Sequence, residues 1–254
     1  MNTKDLILKI KEKKELQGLA DSIIEEALQT YFIKHNLASK NLRPSEIKII
    51  VKDIRSQLRN LTGRFQSSIK KRAGLLRENN IIDLLKTHSS TKERLNYYPV
   101  LKDLIKKLNV KSILDLGCGL NPIALASPKI TYYASDIKED DLKLVQYFFQ
   151  KNSIKGKTFI YDIRKITSDI PKTDLCILFK VLDIADKNKY HLAKMVFENI
   201  SSKYILVSFA TKTLSQKAMR SPKRRWFEYL INKLDLSYDV FSSDNEIFYL
   251  IKKI

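Results

Sequence analysis

An α/β fold, Rossmann-like and preceded by an N-terminal helical domain, is predicted from three observations. The run Ser112-Ile113-Leu114-Asp115-Leu116-Gly117-Cys118-Gly119-Leu120-Asn121-Pro122 reads as a buried strand that breaks into a glycine turn and then starts a helix. From there to the C-terminus, short apolar β-prone runs alternate with helical periodicity, the pattern of a mainly parallel sheet. Before about residue 108 no run reads as a strand.

The N-terminal part, residues 1–108, carries amphipathic helical patterns over Asp5–Leu16, Ala20–His35, Ser45–Leu58 and Ile81–Lys86, broken at Arg43-Pro44, Thr62-Gly63 and Asn79-Asn80. It is expected to form a helical domain ahead of an α/β domain over 109–254, each large enough to bury a core. Ser90 with Glu93 fits the S-x-x-E capping box, so a helix is expected to run from there through Leu95 toward Leu108, with a kink at Tyr98-Pro99 and Arg94 in its first turn. After the first strand, a second is predicted over Ile130–Ser135 closing on Asp136, a helix over Asp141–Lys151, and a third strand over Lys157–Tyr161 closing on Asp162. The fourth strand, Asp174–Val181, is almost continuously apolar, as a strand buried on both faces should be. A helix over Lys189–Ile200, a fifth strand over Tyr204–Ala210 and a helix over Pro222–Leu234 follow. Tyr238–Phe241 and Ile247–Ile251 close the chain as a hairpin around Ser242–Asn245, which makes one strand antiparallel to the rest.

The glycine turn defines a cofactor site. Gly117 and Gly119 let the main chain turn sharply and approach a ligand with no Cβ in the way, and Asp115 is placed to receive a cationic group. A dinucleotide fingerprint would require glycine at position 122, where Pro122 stands, so NAD is disfavoured. The D-x-G-x-G turn is the one S-adenosylmethionine (SAM) methyltransferases carry. Asp136 follows Asp115 by 21 positions, close to the spacing that puts an acid on ribose hydroxyls, although it could also cap the helix starting near Lys138. Arg94 could clamp the carboxylate of a methionine moiety bidentately, the alternative being a surface ion pair.

Charge points to the partner. The net charge is +19, and two stretches hold most of it: Lys40–Arg77 has eleven Lys/Arg against two acids, and Lys212–Arg225 has six against none. Basic side chains on two elements beside one mouth suit a phosphate backbone, which makes Arg43, Lys48, Lys52, Arg55, Arg59, Arg64, Lys70, Lys71 and Arg72 candidate RNA contacts in the first stretch. Lys212, Lys217, Arg220, Lys223 and Arg224 are the candidates in the second. Lys9–Lys14, interleaved with Glu12, reads instead as a solvated face. Neither a membrane nor a metal is expected as a partner, since no apolar run approaches a span and no His/Cys cluster is present. Cys118 and Cys176 offer no disulfide framework, which fits a reducing cytoplasm, and a monomer is expected.

These residues resemble a known family, the aminoglycoside-resistance 16S rRNA (guanine-N7) methyltransferases of the Arm/FmrO type. The likeness runs from about Ile82 to the C-terminus and rests on the stretch from Leu84 to Arg94 containing His88-Ser89-Ser90-Thr91-Lys92-Glu93-Arg94, on Cys118-Gly119-Leu120-Asn121-Pro122-Ile123-Ala124-Leu125, and on Leu178-Phe179-Lys180-Val181-Leu182. Val207-Ser208-Phe209-Ala210-Thr211-Lys212-Thr213-Leu214, Trp226-Phe227-Glu228 and Tyr249-Leu250-Ile251-Lys252-Lys253 complete it. The resemblance implies a Rossmann-like SAM-dependent methyltransferase fold. It also implies that Arg94 contacts the SAM carboxylate, Gly117 and its neighbours the methionine part, Asp136 the ribose, and Asp162 with Ile163 the adenine, and Ile137 is expected among the cofactor-binding residues. It implies further that the helical domain docks on 16S rRNA in the assembled small ribosomal subunit near the decoding site. The chain departs from the family pattern at Ala210, where the family has proline, and over Ser215-Gln216-Lys217-Ala218, where the family is glycine-rich.

Guanine N7 fits the chemistry. It is an unprotonated acceptor that needs placement rather than a general base, so no catalytic acid or base is expected. The fourth strand ends in Phe179-Lys180-Val181-Leu182, without the Asn/Asp-Pro-Pro-aromatic motif of exocyclic-amine methylation, and Cys176 reads as core. Lys180 is read as a cofactor-site residue that orients RNA or the target base, or else as an ion-pair partner of Asp183 or Asp186. Two other readings stay open: methylation at another RNA position, such as adenine N1 or a ribose hydroxyl, and a non-catalytic ribosome-binding assembly factor.

Overall fold

The computed structural model describes residues 3–37, 42–62, 69–185, 189–213 and 217–253. The readings placed on Gly63, Arg64, Asp186, Leu214, Ser215 and Gln216 lie outside them. The chain opens with α1 (Thr3–Lys11), a 3-10 turn (Lys14–Leu16), α2 (Asp21–His35) and α3 (Pro44–Thr62). The apolar faces of these helices close on one another through Ile10, Leu16, Ile24, Leu28, Ile54 and Leu58, giving this part a core of its own. The next helices, α4 (Arg72–Arg77), α5 (Ile81–Lys86), α6 (Ser89–Glu93) and α7 (Tyr98–Lys107), bury Leu76, Leu84, Leu85, Leu101 and Ile105 against the sheet instead. The helices ahead of residue 108 thus form two packing groups, the first three closing on one another and the next four on the sheet.

The single helix expected from Ser90 toward Leu108 is in fact broken. His88, not Ser90, is the N-cap of α6, and it caps with no side-chain hydrogen bond. Arg94 is the C-cap rather than a first-turn residue, and a 3-10 turn (Leu95–Tyr97) leads into α7. Pro99 lies in the first turn of α7, where its missing N–H has no intrahelical acceptor to lose, so it starts a helix instead of kinking one.

The remainder is one seven-stranded sheet of order β3-β2-β1-β4-β5-β7-β6, with β1 (Ser112–Leu116), β2 (Thr131–Asp136), β3 (Gly156–Ile160), β4 (Thr173–Phe179), β5 (Ser202–Ala210), β6 (Ser237–Ser242) and β7 (Glu246–Lys252). Helices α8 (Asn121–Leu125), α9 (Glu139–Lys151), α10 (Leu182–Ala185), α11 (Lys189–Asn199) and α12 (Arg225–Lys233) connect them. Strands β1 to β5 are parallel, and β7 runs antiparallel to β5 from Tyr204↔Lys252 to Ala210↔Glu246. β4 stops at Phe179, two residues short of the expected Val181, because Lys180 turns out of the strand with φ 59°. The strand order reverses between β1 and β4, and a crevice opens there at the carboxyl ends of the strands.

The N-terminal helices join the sheet domain at the segment after β2. Ala20 N–H donates to the Ile137 carbonyl at 3.0 Å, Asp140 N–H to that of Gly18 at 3.3 Å, and Lys138 Nζ to that of Glu15 at 2.6 Å.

Candidate cofactor cavity and basic surfaces

A cavity of about 910 Å³, counting the solvent at its mouth, occupies the crevice above β1, β2 and β4. Gly117 and Gly119 form its floor with φ of +68° and +49°. A Cβ on Gly117 would come within 2.6 Å of Val181 Cγ2, and one on Gly119 within 3.1 Å of His88 Nε2, so the turn closes only around glycine. Asp136 lies on the wall, and its carboxylate is pinned by the N–H of Gly119 at 2.9 Å and of Lys138 at 3.0 Å. Asp136 is not the N-cap of α9, a place taken by Lys138 with no side-chain cap, but its carboxylate steadies the chain that leads into that helix. Burial raises its pKa, opposed by the backbone N–H groups of Gly119, Lys138 and Ile137.

Ile137, Asp162, Ile163 and Lys180 also line the cavity. Asp162 caps a 3-10 turn by accepting the Arg164 N–H at 3.0 Å and pairs with the Arg164 guanidinium. Asp115 is different. It is fully buried beneath the turn, is not on the cavity wall, and accepts from the Tyr132 hydroxyl at 2.7 Å. Its other oxygen has no hydrogen-bond partner among the described residues, and burial pushes its carboxyl up to about 7.

Arg94 reaches the wall but already has partners. Its Nε and Nη2 donate to Glu246 Oε2 at 3.2 and 2.8 Å, its Nη1 donates to Asn121 Oδ1 at 2.6 Å, and it lies 4.4 Å from the centroid of the Phe179 ring. The ion-pair alternative holds, but the pair is buried rather than on the surface. Lys180 pairs with Glu93 at 2.5 Å and Glu246 at 3.2 Å, not with Asp183. Asp183 instead receives Arg224. No sequence signal connected Glu246 to Arg94, from which it is separated by 152 positions. His88, Leu61 and Thr62 also stand on the wall without a local sequence signal, and Ser90, expected as a helix cap, lies there too. Burial, and then the charges of Arg72, Arg94, Lys138 and Lys180, lower the His88 imidazole to about 3 and keep it neutral.

The wall suits SAM: a floor open only to glycine, an acceptor carboxylate in Asp136, apolar Ile137, Ile163 and Val181 for a flat base, and both cationic and acidic groups for a zwitterion. Among the described residues no group of acids, histidines or cysteines could hold a metal, and no helix is long and apolar enough to cross a membrane.

The basic candidates divide. Lys48, Lys52, Lys70, Lys71, Lys217, Arg220 and Lys223 are exposed, Lys212 is half-buried, and Arg43 is exposed beside Glu46. Lys48 and Lys52 border a groove between α1 and α3 whose other bank carries Lys9 and Lys13. Arg72 is not a surface group: it is 3% exposed, pairs with Asp141 at 2.5 Å and donates to Thr87, because α4 packs against α9. Arg55 is turned inward onto the carbonyls of Lys9 and Ile10 and onto Glu12, and Arg59 pairs with Glu15. Arg224 donates to Asp183 and to the Ala210 carbonyl and lies over the Phe209 ring, which leaves its neighbour Arg225 exposed in its place. Trp226 packs edge-on against Phe209 and Phe227.

Comparison with known proteins agrees with this geometry. A family model described as ribosomal RNA methyltransferase (FmrO) matches residues 76–250. A 16S rRNA (guanine(1405)-N(7))-methyltransferase of Serratia marcescens is 25% identical over 261 residues, covering 100% of this chain and 99% of that protein. A Micromonospora echinospora protein of the same description is 28% identical over 180 residues, covering 66% of this chain and 64% of its own length. Among solved structures, the 16S rRNA methyltransferase RmtF in complex with S-adenosyl-L-homocysteine superposes with a TM-score of 0.80 at 21% identity over 100% of both chains. The 16S rRNA methylase ArmA superposes with a TM-score of 0.59 at 26% identity, covering 74% of this chain and 99% of its own.

Proposed function

The chain belongs to the FmrO family of ribosomal RNA methyltransferases, and from that premise we propose that it transfers a methyl group from SAM to N7 of a guanine in 16S rRNA. By the names of its relatives the target is guanine 1405, and we place that target in the decoding region of the small subunit. The observation that carries the reading is the glycine turn at the switch point of the sheet, with the Asp136 carboxylate fixed beside it.

When bound, SAM supplies an electrophilic methyl group. Guanine N7 presents its lone pair without losing a proton, so the task left to the chain is to hold two reactants in line. The neutral His88 and the fully paired Arg94 and Lys180 fit a site that moves no proton. Asp136 accepts from ribose hydroxyls, Asp162 and Ile163 bound the adenine, the Gly117–Gly119 turn admits the methionine part, and Arg94 faces its carboxylate. Lys180, at the exit of β4, orients the target base. Exposed Lys48, Lys52, Lys70 and Lys71 on one side, and Lys217, Arg220 and Lys223 on the other, hold the RNA backbone.

The test treats purified 30S subunits and naked 16S rRNA with enzyme and labelled SAM, then maps the product by borohydride and aniline cleavage, which reports 7-methylguanine. Label incorporated without cleavage would reassign the target atom. Absence of SAM binding by calorimetry would leave an assembly factor that keeps the fold.

A further inference from the structure

Helix α12 presents two opposite faces. Phe227, Leu230 and Ile231 are buried in the core, and Glu228 accepts the Tyr249 hydroxyl at 2.8 Å, so its one acid is turned away from solvent-facing cations. Arg225, Tyr229 and Lys233 are spaced by four residues, which places them in one row along the exposed face. Tyr229 is 61% exposed, unusual for a large aromatic residue in a helix otherwise well packed. Beside it, at the start of α11, Tyr190 is half-buried, with ring centroids 6.5 Å apart and planes inclined by 38°. Arg225 and Lys233 pair with no carboxylate among the described residues, and the row contains no acid.

The row starts with Arg225 at the relevant end of the molecule and runs back along β5 toward Lys233. α11 and α12 begin where the chain leaves β4 and β5 at their carboxyl ends, the end at which the Gly117–Gly119 turn opens. Arg225 directly continues the basic segment that runs through Lys217, Arg220 and Lys223.

We infer that Tyr229, backed by Tyr190 and flanked by Arg225 and Lys233, is a stacking platform for an unpaired base of the substrate RNA, with adjacent phosphates on the two cations. A solvated aromatic ring next to a second ring offers a π-face that any base can cover, and flanking cations neutralise the strand that carries the base. A merely solvated helix face would need no exposed tyrosine between two cations. This inference rests on the proposed RNA substrate and adds a contact outside the cofactor cavity.

The experiment compares wild type with Tyr229→Ala, Tyr229→Phe and Arg225→Gln/Lys233→Gln, measuring affinity for 30S subunits and for naked 16S rRNA over a salt series, SAM affinity by calorimetry, and product by the cleavage map. The platform predicts about tenfold or greater loss of affinity for both RNAs in Tyr229→Ala, near wild-type affinity in Tyr229→Phe, a shallower salt slope in the double variant, and unchanged SAM affinity throughout. Because Tyr229 is so exposed, its truncation removes little packing, and an unchanged melting temperature checks this. The inference is overturned if Tyr229→Ala binds RNA like wild type, if phenylalanine fails to restore it, or if only the 30S affinity falls, which would assign the ring to a ribosomal protein. A wild type that binds rRNA yet makes no 7-methylguanine sinks the proposed target while leaving the platform standing. A wild type that binds no rRNA sinks both.

Discussion

Asp136 combines two jobs at one carboxylate: it is held by two backbone N–H groups and faces the cavity. Asp136→Ala removes both the acceptor proposed for ribose and the partner of two backbone donors. SAM affinity should fall roughly tenfold or more, at about 1.5–3 kcal/mol per hydrogen bond to a charged group, and calorimetry giving an unchanged Kd would refute its role. Asp115 makes a separate prediction about pH. Its folded pKa of about 7 lies above the unfolded value near 3.9, so the folded state retains a proton the unfolded state has lost across that interval. Its contribution to stability is therefore fully present below about pH 4 and is lost as pH rises through 7. Asp115→Asn, which can still accept from Tyr132, should raise the melting temperature at pH 8, by up to roughly 4 kcal/mol in stability, and leave it nearly unchanged at pH 4. Equal shifts at both pH values would contradict this account.

Among the elements, the turn from β1 into α8 is the least tolerant. Gly117→Ala forces a side chain into a left-handed conformation and against Val181 at 2.6 Å. It should cost about 1–3 kcal/mol and abolish measurable SAM binding in a protein that still folds, as a melt and a titration on the same sample would show. α4 makes the opposite kind of statement. Its Arg72 belongs to the net-basic stretch Lys40–Arg77 expected to meet RNA; the helix instead turns it inward onto Asp141, whose carboxyl burial raises to about 6 although Arg72 opposes it. Removing Arg72 alone strands a buried carboxylate and should destabilise by about 3–5 kcal/mol in urea unfolding, whereas replacing both partners with apolar residues should recover most of that loss. A salt-dependent RNA defect in Arg72→Ala without loss of stability would restore the surface reading.

At the scale of the whole molecule, the helical unit is attached through Gly18, Ala20 and Lys138 to the segment that leaves Asp136, and α3 ends at Leu61 and Thr62 on the cavity wall. The helical unit and the cavity wall thus share one seam, so RNA docking on this unit, as proposed, would act next to the cofactor site. Of the candidates on α3, Lys48 and Lys52 are exposed, whereas Arg55 is turned onto the carbonyls of α1. Lys48→Glu/Lys52→Glu should weaken 30S binding and lower the salt slope by about 0.7–0.9 for each lost phosphate contact, while SAM affinity stays unchanged. A double variant that binds 30S normally would move the docking surface elsewhere.

The alternation of strands and helices, the Asp115-to-Asp136 spacing and the Gly117/Gly119 turn were legible in the linear chain, because backbone periodicity and positive φ are local demands that residue type alone expresses. Charge was legible only as an amount. Whether Arg72, Arg55 and Arg224 face solvent or the interior, and whether Arg225 or Arg224 is the exposed one, depends on which side of a helix the core takes. The break of the expected helix into α6 and α7, and the union of Arg94 and Lys180 on Glu246, were likewise decided by packing. The pairing of side chains separated by 152 positions has no local signature, since it arises only when the closing hairpin brings β7 beside β5 and seals the end of the sheet.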